Sequence, residues 1–143
     1  MMYGYQAEGS APFVVGAPVK NPETIATAIR IGNPASWDLA QSAMECSVGK
    51  FGAVSDSEIL WMHRFLSQEA GVFVEPSSAT GAAGIYKSSQ QGESFAGALI
   101  VVTVTGHGLK DPAWALKDEA GNEITPEAVS TNAAEVAERL GLA

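Results

Sequence analysis

Ala98-Leu99-Ile100-Val101-Val102-Thr103-Val104-Thr105-Gly106-His107-Gly108-Leu109-Lys110-Asp111 is the stretch on which the fold reading turns. From Ala98 to Val104 the apolar positions are consecutive rather than alternate, the pattern of a strand covered on both faces within a parallel sheet. The run ends on a hydroxyl, Thr105, and enters a turn bracketed by Gly106 and Gly108. Ligands in open α/β sheets collect outside the carboxyl ends of the strands. Thr105 and Gly106 are therefore expected at a ligand crevice, where a glycine lets a flat ligand approach the backbone. An ordinary strand-to-loop exit is the plainer reading of the same residues.

Outward from this run, helices and strands alternate without repeats or low-complexity linkers. Met2 to Gln6 reads as a short strand, and Asn21-Pro22 starts a short helix towards Arg30, with Asn21 as cap and Pro22 at the first helical position. Asn33-Pro34 repeats that start signal for a helix to about Ser47, with Trp37, Ala40 and Met44 on one stripe. Gly49 stops it, and Lys50 to Val54 is a strand. Ser55 and Glu58 form a capping box for a helix carrying Ile59, Leu60, Met62, His63 and Leu66, where His63 is expected to be satisfied or half-exposed. Gly71 ends this helix, Val72-Phe73-Val74 is a short buried strand, and Pro76 opens a helix through Ile85. Gly81 and Gly84 in that helix each cost up to about 1 kcal/mol relative to Ala, which favours a crowded contact. Beyond Asp111-Pro112 a helix is expected through Leu116, then a turn at Gly121-Asn122. An amphipathic helix from Thr131 to Leu140 follows, docking Ala133, Val136, Ala137 and Leu140. Lys117-Asp118-Glu119 reads as a solvated face.

Strand, crossover helix, strand recurs, so the expected class is α/β with a mostly parallel sheet flanked by helices. Strand 98–104 should be central, with residues 72–74 parallel beside it. Parallel strands end on one edge, which should bring Glu75 and Thr105 to one crevice although 30 positions separate them. A carboxylate and a hydroxyl at one rim make a polar ligand site; the alternative is that Glu75 pairs with a lysine and Thr105 caps a turn.

The bulk numbers narrow the classes of function. A chain of 143 residues can bury a core without staples. Its 8 basic and 16 acidic residues give a net charge of −8, which argues against nucleic acid or an anionic membrane as partner. The single Cys46 cannot form an internal disulfide and reads as a helix-face thiol in a reducing compartment, while His63 and His107 lack zinc spacing. No apolar run approaches the roughly 20 residues that span a bilayer, and the N-terminus lacks secretory order, so the cytoplasm is the expected location.

Thr105-Gly106-His107-Gly108-Leu109-Lys110-Asp111-Pro112 resembles the C-terminal signature of the threonine synthases, pyridoxal-phosphate enzymes of fold type II. Glu23 to Trp37, Gln6-Ala7-Glu8-Gly9 and Val72 to Ala79 are similar to further segments of that family, in the family's order. The resemblance implies that the chain is one partial domain, residues 1–143, from the C-terminal portion of such a catalytic fold. It implies pyridoxal phosphate as cofactor, with Thr105 at the pyridine nitrogen, Ala28 against the ring face, and Glu75 and Gly106 nearby. A neutral hydroxyl at that nitrogen moderates the electron sink, where an aspartate would deepen it by holding a proton there. The implied reaction converts O-phospho-L-homoserine and water to L-threonine and phosphate.

Two parts of the family pattern are missing. The Schiff-base lysine lies in a Ser-Phe-Lys-Asp type motif and the phosphate loop in a Gly-Asn-Ala-Gly-Asn type motif, and neither occurs here. Of Lys20, Lys50, Lys87, Lys110 and Lys117, only Lys110 is in the site region, where it matches the signature lysine. Gly81-Ala82-Ala83-Gly84 lies inside a predicted helix instead of at its start, so it is no phosphate cradle. The chain alone is expected to be inactive and to need the N-terminal half, or itself as a homo-oligomer, as partner. The other reading is a non-catalytic, self-associating α/β binding module derived from this fold.

Overall fold

The computed structural model describes residues 1–118, 122–125 and 128–142. They form two compact units, Met1–Pro112 and Ala113–Ala143. In the first, strand β1 (Tyr3–Ala7) leads through helices α1 (Pro12–Val15) and α2 (Trp37–Cys46) to strand β2 (Lys50–Val54), then helices α3 (Asp56–Ala70) and α4 (Pro76–Gln90). The strands pair in parallel, from Tyr3 opposite Lys50 to Ala7 opposite Val54. A parallel pair needs a crossover of a dozen residues or more, which the segment holding α1 and α2 supplies. This is the α/β class with a parallel sheet and covering helices.

The core gathers Ala7 and Val54 from the sheet, Ile59 and Met62 from α3, Ala79 and Ala83 from α4, with Ala26 and Val74 from connecting segments. Helix α3 starts where expected: the Ser55 hydroxyl accepts from Glu58 N and the Glu58 carboxylate accepts from Ser55 N. It stops at Gly71 in the left-handed region, φ 65°. Gly84 is needed for α4 to reach the sheet, because a Cβ there would penetrate the Tyr5 ring. Tyr5 then shares a 2.7 Å hydrogen bond with Ser88 on the same helix. The crowding anticipated from this glycine is real. Lys87 ties α4 to its neighbours through Glu58 at 2.9 Å, Glu8 at 3.1 Å and the Ala53 carbonyl at 3.0 Å.

Several expectations need correction. Residues 98–104 form no strand, and Leu99 and Val101 are 93% and 83% exposed. A strand is held by its ladder, and among the described residues the only sheet is β1–β2. Residues 72–74 contribute only an isolated bridge, Val74 to His107, and it is antiparallel. The expected helix 22–30 is reduced to one 3₁₀ turn, Thr27–Ile29. Its backbone donors are taken by other acceptors: Glu23 N by the Gly9 carbonyl, Ile25 N by Asp56 Oδ2 and Ala26 N by Thr24 Oγ1. Finally, His63 is not half-exposed; it is 4% exposed, and among the described residues neither ring nitrogen makes a hydrogen bond of full geometry, the Val74 backbone offering its ring only a weaker contact.

In the second unit, Lys117 bridges antiparallel to Glu123, and α5 (Ala133–Arg139) is capped by Asn132, whose side chain accepts from Ala134 N at 2.9 Å. Val136 and Ala137 are half-buried, whereas Ala133 and Leu140 are exposed. The helix expected after Pro112 is a single turn, Pro112–Trp114. The turn expected at Gly121-Asn122 and the Glu119 end of the charged face involve residues outside the described ones. Among the described residues no helix is long and apolar enough to cross a membrane.

Candidate functional site

The residues singled out from sequence meet at the N-terminus of α4. Chain geometry dictates the start of this helix: Glu75 is extended, with ψ 157°, and Pro76 takes the first helical position, where a missing N–H costs nothing. Ser77 and Ser78 then occupy the first turn, and their hydroxyls face two incoming segments. Ser77 Oγ accepts from Ala28 N at 3.1 Å. Ser78 Oγ accepts from Gly106 N at 2.7 Å and lies 3.0 Å from Thr105 Oγ1.

Glu75 and Gly106 are joined directly, since Glu75 N donates to the Gly106 carbonyl at 3.0 Å. Phe73 O likewise accepts from Gly108 N at 3.2 Å, so the two segments clasp antiparallel around Val74 and His107. Gly106 and Gly108 have the same steric role. A Cβ on Gly106 would strike the Glu75 carboxylate, and one on Gly108 would strike the Phe73 ring. The Phe73 ring also meets His107 edge-on, at 5.4 Å between centroids.

Glu75 is 3% exposed, and its Oε1 accepts from Lys110 Nζ at 3.0 Å. The Lys110 side chain stays 62% exposed, so the pair joins a buried carboxylate to a wet ammonium. The plainer reading of Glu75, as the partner of a lysine, describes its side chain correctly. Thr105, by contrast, is exposed, and among the described residues its hydroxyl meets only Ser78; Ala28 is exposed beside Ser77. The structure thus brings Ala28, Glu75, Thr105 and Gly106 to one helix end, through an antiparallel clasp and not through neighbouring parallel strands. A second clasp at this end links Thr27 Oγ1 to Asp111 Oδ2 at 3.1 Å.

Ser77 and Ser78 carry the arrangement, and sequence reading assigned them no role. Their signal was a serine pair directly after a proline-started helix, where hydroxyls can serve partners outside the helix. His63 lies close by, its ring 6.3 Å from that of Phe73. Burial holds its pKa below the ordinary histidine value, and the neighbouring Arg64 charge adds to this; the Val74 backbone and Asp111 pull the other way and are outweighed.

These side chains fit one edge of a flat, nitrogen-containing ring. An exposed neutral hydroxyl at Thr105 suits a pyridine nitrogen, and the small exposed Ala28 leaves room for a ring face. Lys110, the one lysine at this end among the described residues, is engaged by Glu75, and Gly81 and Gly84 lie in the middle of α4.

The sequence model of the family described as "Pyridoxal-phosphate dependent enzyme" matches residues 1–106. The chain is 51% identical over 142 residues to a threonine synthase of Mycobacterium tuberculosis (strain ATCC 25618 / H37Rv), covering 99% of this chain and 38% of that protein. It is 52% identical over 123 residues to a threonine synthase of Synechocystis sp. (strain ATCC 27184 / PCC 6803 / Kazusa), covering 86% of this chain and 31% of that one. In fold it resembles a crystallised threonine deaminase from T.th., with a TM-score of 0.52 and 17% identity over 62% of this chain and 34% of the other. The chain therefore spans less than two-fifths of the length of these relatives. With a family match across most of its length and a neighbour of the same fold, the chain belongs to the pyridoxal-phosphate-dependent enzymes.

Proposed function

We propose that this chain supplies the C-terminal portion, one partial domain, of a threonine synthase, which converts O-phospho-L-homoserine and water to L-threonine and phosphate. The observation that carries the reading is the gathering of Ala28, Glu75, Thr105 and Gly106 at the start of α4, in a chain half identical to threonine synthases along nearly its whole length. Bound pyridoxal phosphate would supply the electron sink for proton removal at two substrate carbons in turn. Thr105 would meet the ring nitrogen with a neutral hydroxyl, and Ala28 would lie against the ring face. Gly106 keeps the backbone close enough for both, and Glu75, held by Lys110, fixes the clasp that carries Thr105.

The amine that would bind the cofactor, and the loop for its phosphate, would come from an N-terminal half. The exposed apolar run at 98–104 supports this, because Leu99 and Val101 are left uncovered where a sheet neighbour would sit. The same half is the expected partner, with an amino-acid substrate. The exposed lone Cys46 fits a reducing cytoplasm.

The test is complementation: the chain is mixed with the N-terminal part of a threonine synthase, and phosphate release from O-phospho-L-homoserine is followed. Release should need both pieces and pyridoxal phosphate, and Thr105→Ala should impair turnover while leaving assembly intact. A complex that assembles and loads cofactor without turnover would overturn the reading. So would turnover by the chain alone, with borohydride trapping the cofactor on Lys110.

A further inference from the structure

We propose that Ser78 is a positioning residue that sets the direction of the Thr105 hydroxyl, so that Thr105 presents its proton outward as a donor. This rests on the reading of Thr105 as the group that faces the ring nitrogen, and it specifies how that contact is made.

The argument is a count of donors and acceptors. A serine hydroxyl has one proton and two lone pairs. One lone pair of Ser78 Oγ is taken by Gly106 N at 2.7 Å, a short bond that also fixes the oxygen in place. Its remaining neighbour is Thr105 Oγ1 at 3.0 Å, and by distance alone either hydroxyl could donate. Burial breaks the tie. Ser78 is 4% exposed, and among the described residues its hydroxyl forms no hydrogen bond besides those to Gly106 and Thr105, whereas Thr105 is exposed and can give its proton to water or to a ligand. If Thr105 donated inward, the Ser78 proton would be stranded without a partner, which buried polar groups avoid. If Ser78 donates, every group is satisfied and the Thr105 proton is free on the exposed side. The chain of bonds then runs one way, from Gly106 N–H to Ser78 Oγ and from Ser78 O–H to Thr105 Oγ1, and each bond polarises the next.

Two features make the relay specific to this position. The Ser78 backbone is locked in the first turn of α4, with Ser78 N donating to the Glu75 carbonyl at 3.0 Å. Gly106, directly after Thr105, is pinned by two bonds, its N–H to Ser78 and its carbonyl from Glu75 N. Thr105 is therefore tethered on its C-terminal side, and its contact with Ser78 orients the side chain.

Nuclear magnetic resonance on the carbon-13-labelled chain in mixed light and heavy water reads the direction without any cofactor. A hydroxyl that exchanges slowly gives its Cβ two lines, one for each hydrogen isotope, and a fast one gives a single averaged line. Ser78 Cβ should be doubled and Thr105 Cβ single. The reverse pattern overturns the proposal, as do two doubled or two single signals, because each means that Ser78 is not the sole retained donor of the pair. In Ser78→Ala, Gly106 amide exchange should speed up by about tenfold, the worth of one lost hydrogen bond. The side-chain couplings of Thr105 should pass from one rotamer to an average. Unchanged Thr105 couplings in the folded variant would also overturn the positioning role, and a variant that does not fold leaves the isotope pattern of the unsubstituted chain to decide. Failure of the complementation test would remove the cofactor reading and leave this hydroxyl order untouched, so the two can fail separately.

Discussion

Residues 50–54 and 98–104 are both apolar runs that read as strands, yet only the first is one. Lys50–Val54 has β1 beside it, and Val54 disappears into the core. Ala98–Val104 is more apolar and has no ladder among the described residues, and most of it stands in water with only Val102 half-buried, near Gly81 of α4. The difference teaches that apolar content sets how much a segment gains from burial, while pairing decides whether burial occurs. Backbone donors and acceptors need partners before side chains can be covered. In this chain the run with the stronger strand pattern is the one that finds no ladder partner among the described residues.

The largest test of that contrast is a pair of truncations. Ile59→Ala, beneath the paired strand, should cost about 2–5 kcal/mol in urea unfolding, and Leu99→Ala should stay within about 0.5 kcal/mol of the unsubstituted chain. An equal cost at both sites would show that 98–104 is packed in solution. Next comes Gly106→Ala, which forces a Cβ into the Glu75 carboxylate and should cost about 1–3 kcal/mol while loosening the Lys110 pair. Unaltered stability would mean that the clasp is slack. Ser55→Ala removes the capping box of α3 and should lower unfolding free energy by about 1 kcal/mol, with no effect on the environment of Thr105.

The smallest expected effect is a slope with pH. His63 has its pKa lowered in the folded state, so the unfolded chain binds more protons once the pH drops below the unfolded histidine value of about 6.5. Its contribution to stability is complete above that value and is lost as pH falls through the folded one. Urea midpoints should therefore decline on acidification, and His63→Leu should flatten that decline. A decline of equal steepness in the variant would assign the effect to other groups.

Local chemistry made much of this molecule legible. The Ser55–Glu58 box, the Gly71 stop and the Pro76 start all depend on neighbours within a few positions, and each appears where the residues put it. The proximity of Glu75 to Thr105 was also legible, although the expected parallel edge was replaced by an antiparallel clasp. Helix 22–30 failed because Asp56, distant in sequence, captures Thr24 and Ile25. His63 was misjudged because a helical pattern does not say which imidazole will be buried.

By itself the sequence determined the α/β class, both ends of α3 and the start of α4, since periodicity and caps are properties of short stretches. Only the tertiary structure decided that 98–104 stays unpaired, that Glu75 is neutralised by Lys110, and that Ser77 and Ser78 hold Ala28, Thr105 and Gly106 together. Those outcomes depend on which distant segment supplies the partner for a ladder, a buried charge or a hydroxyl, and no local pattern encodes that choice.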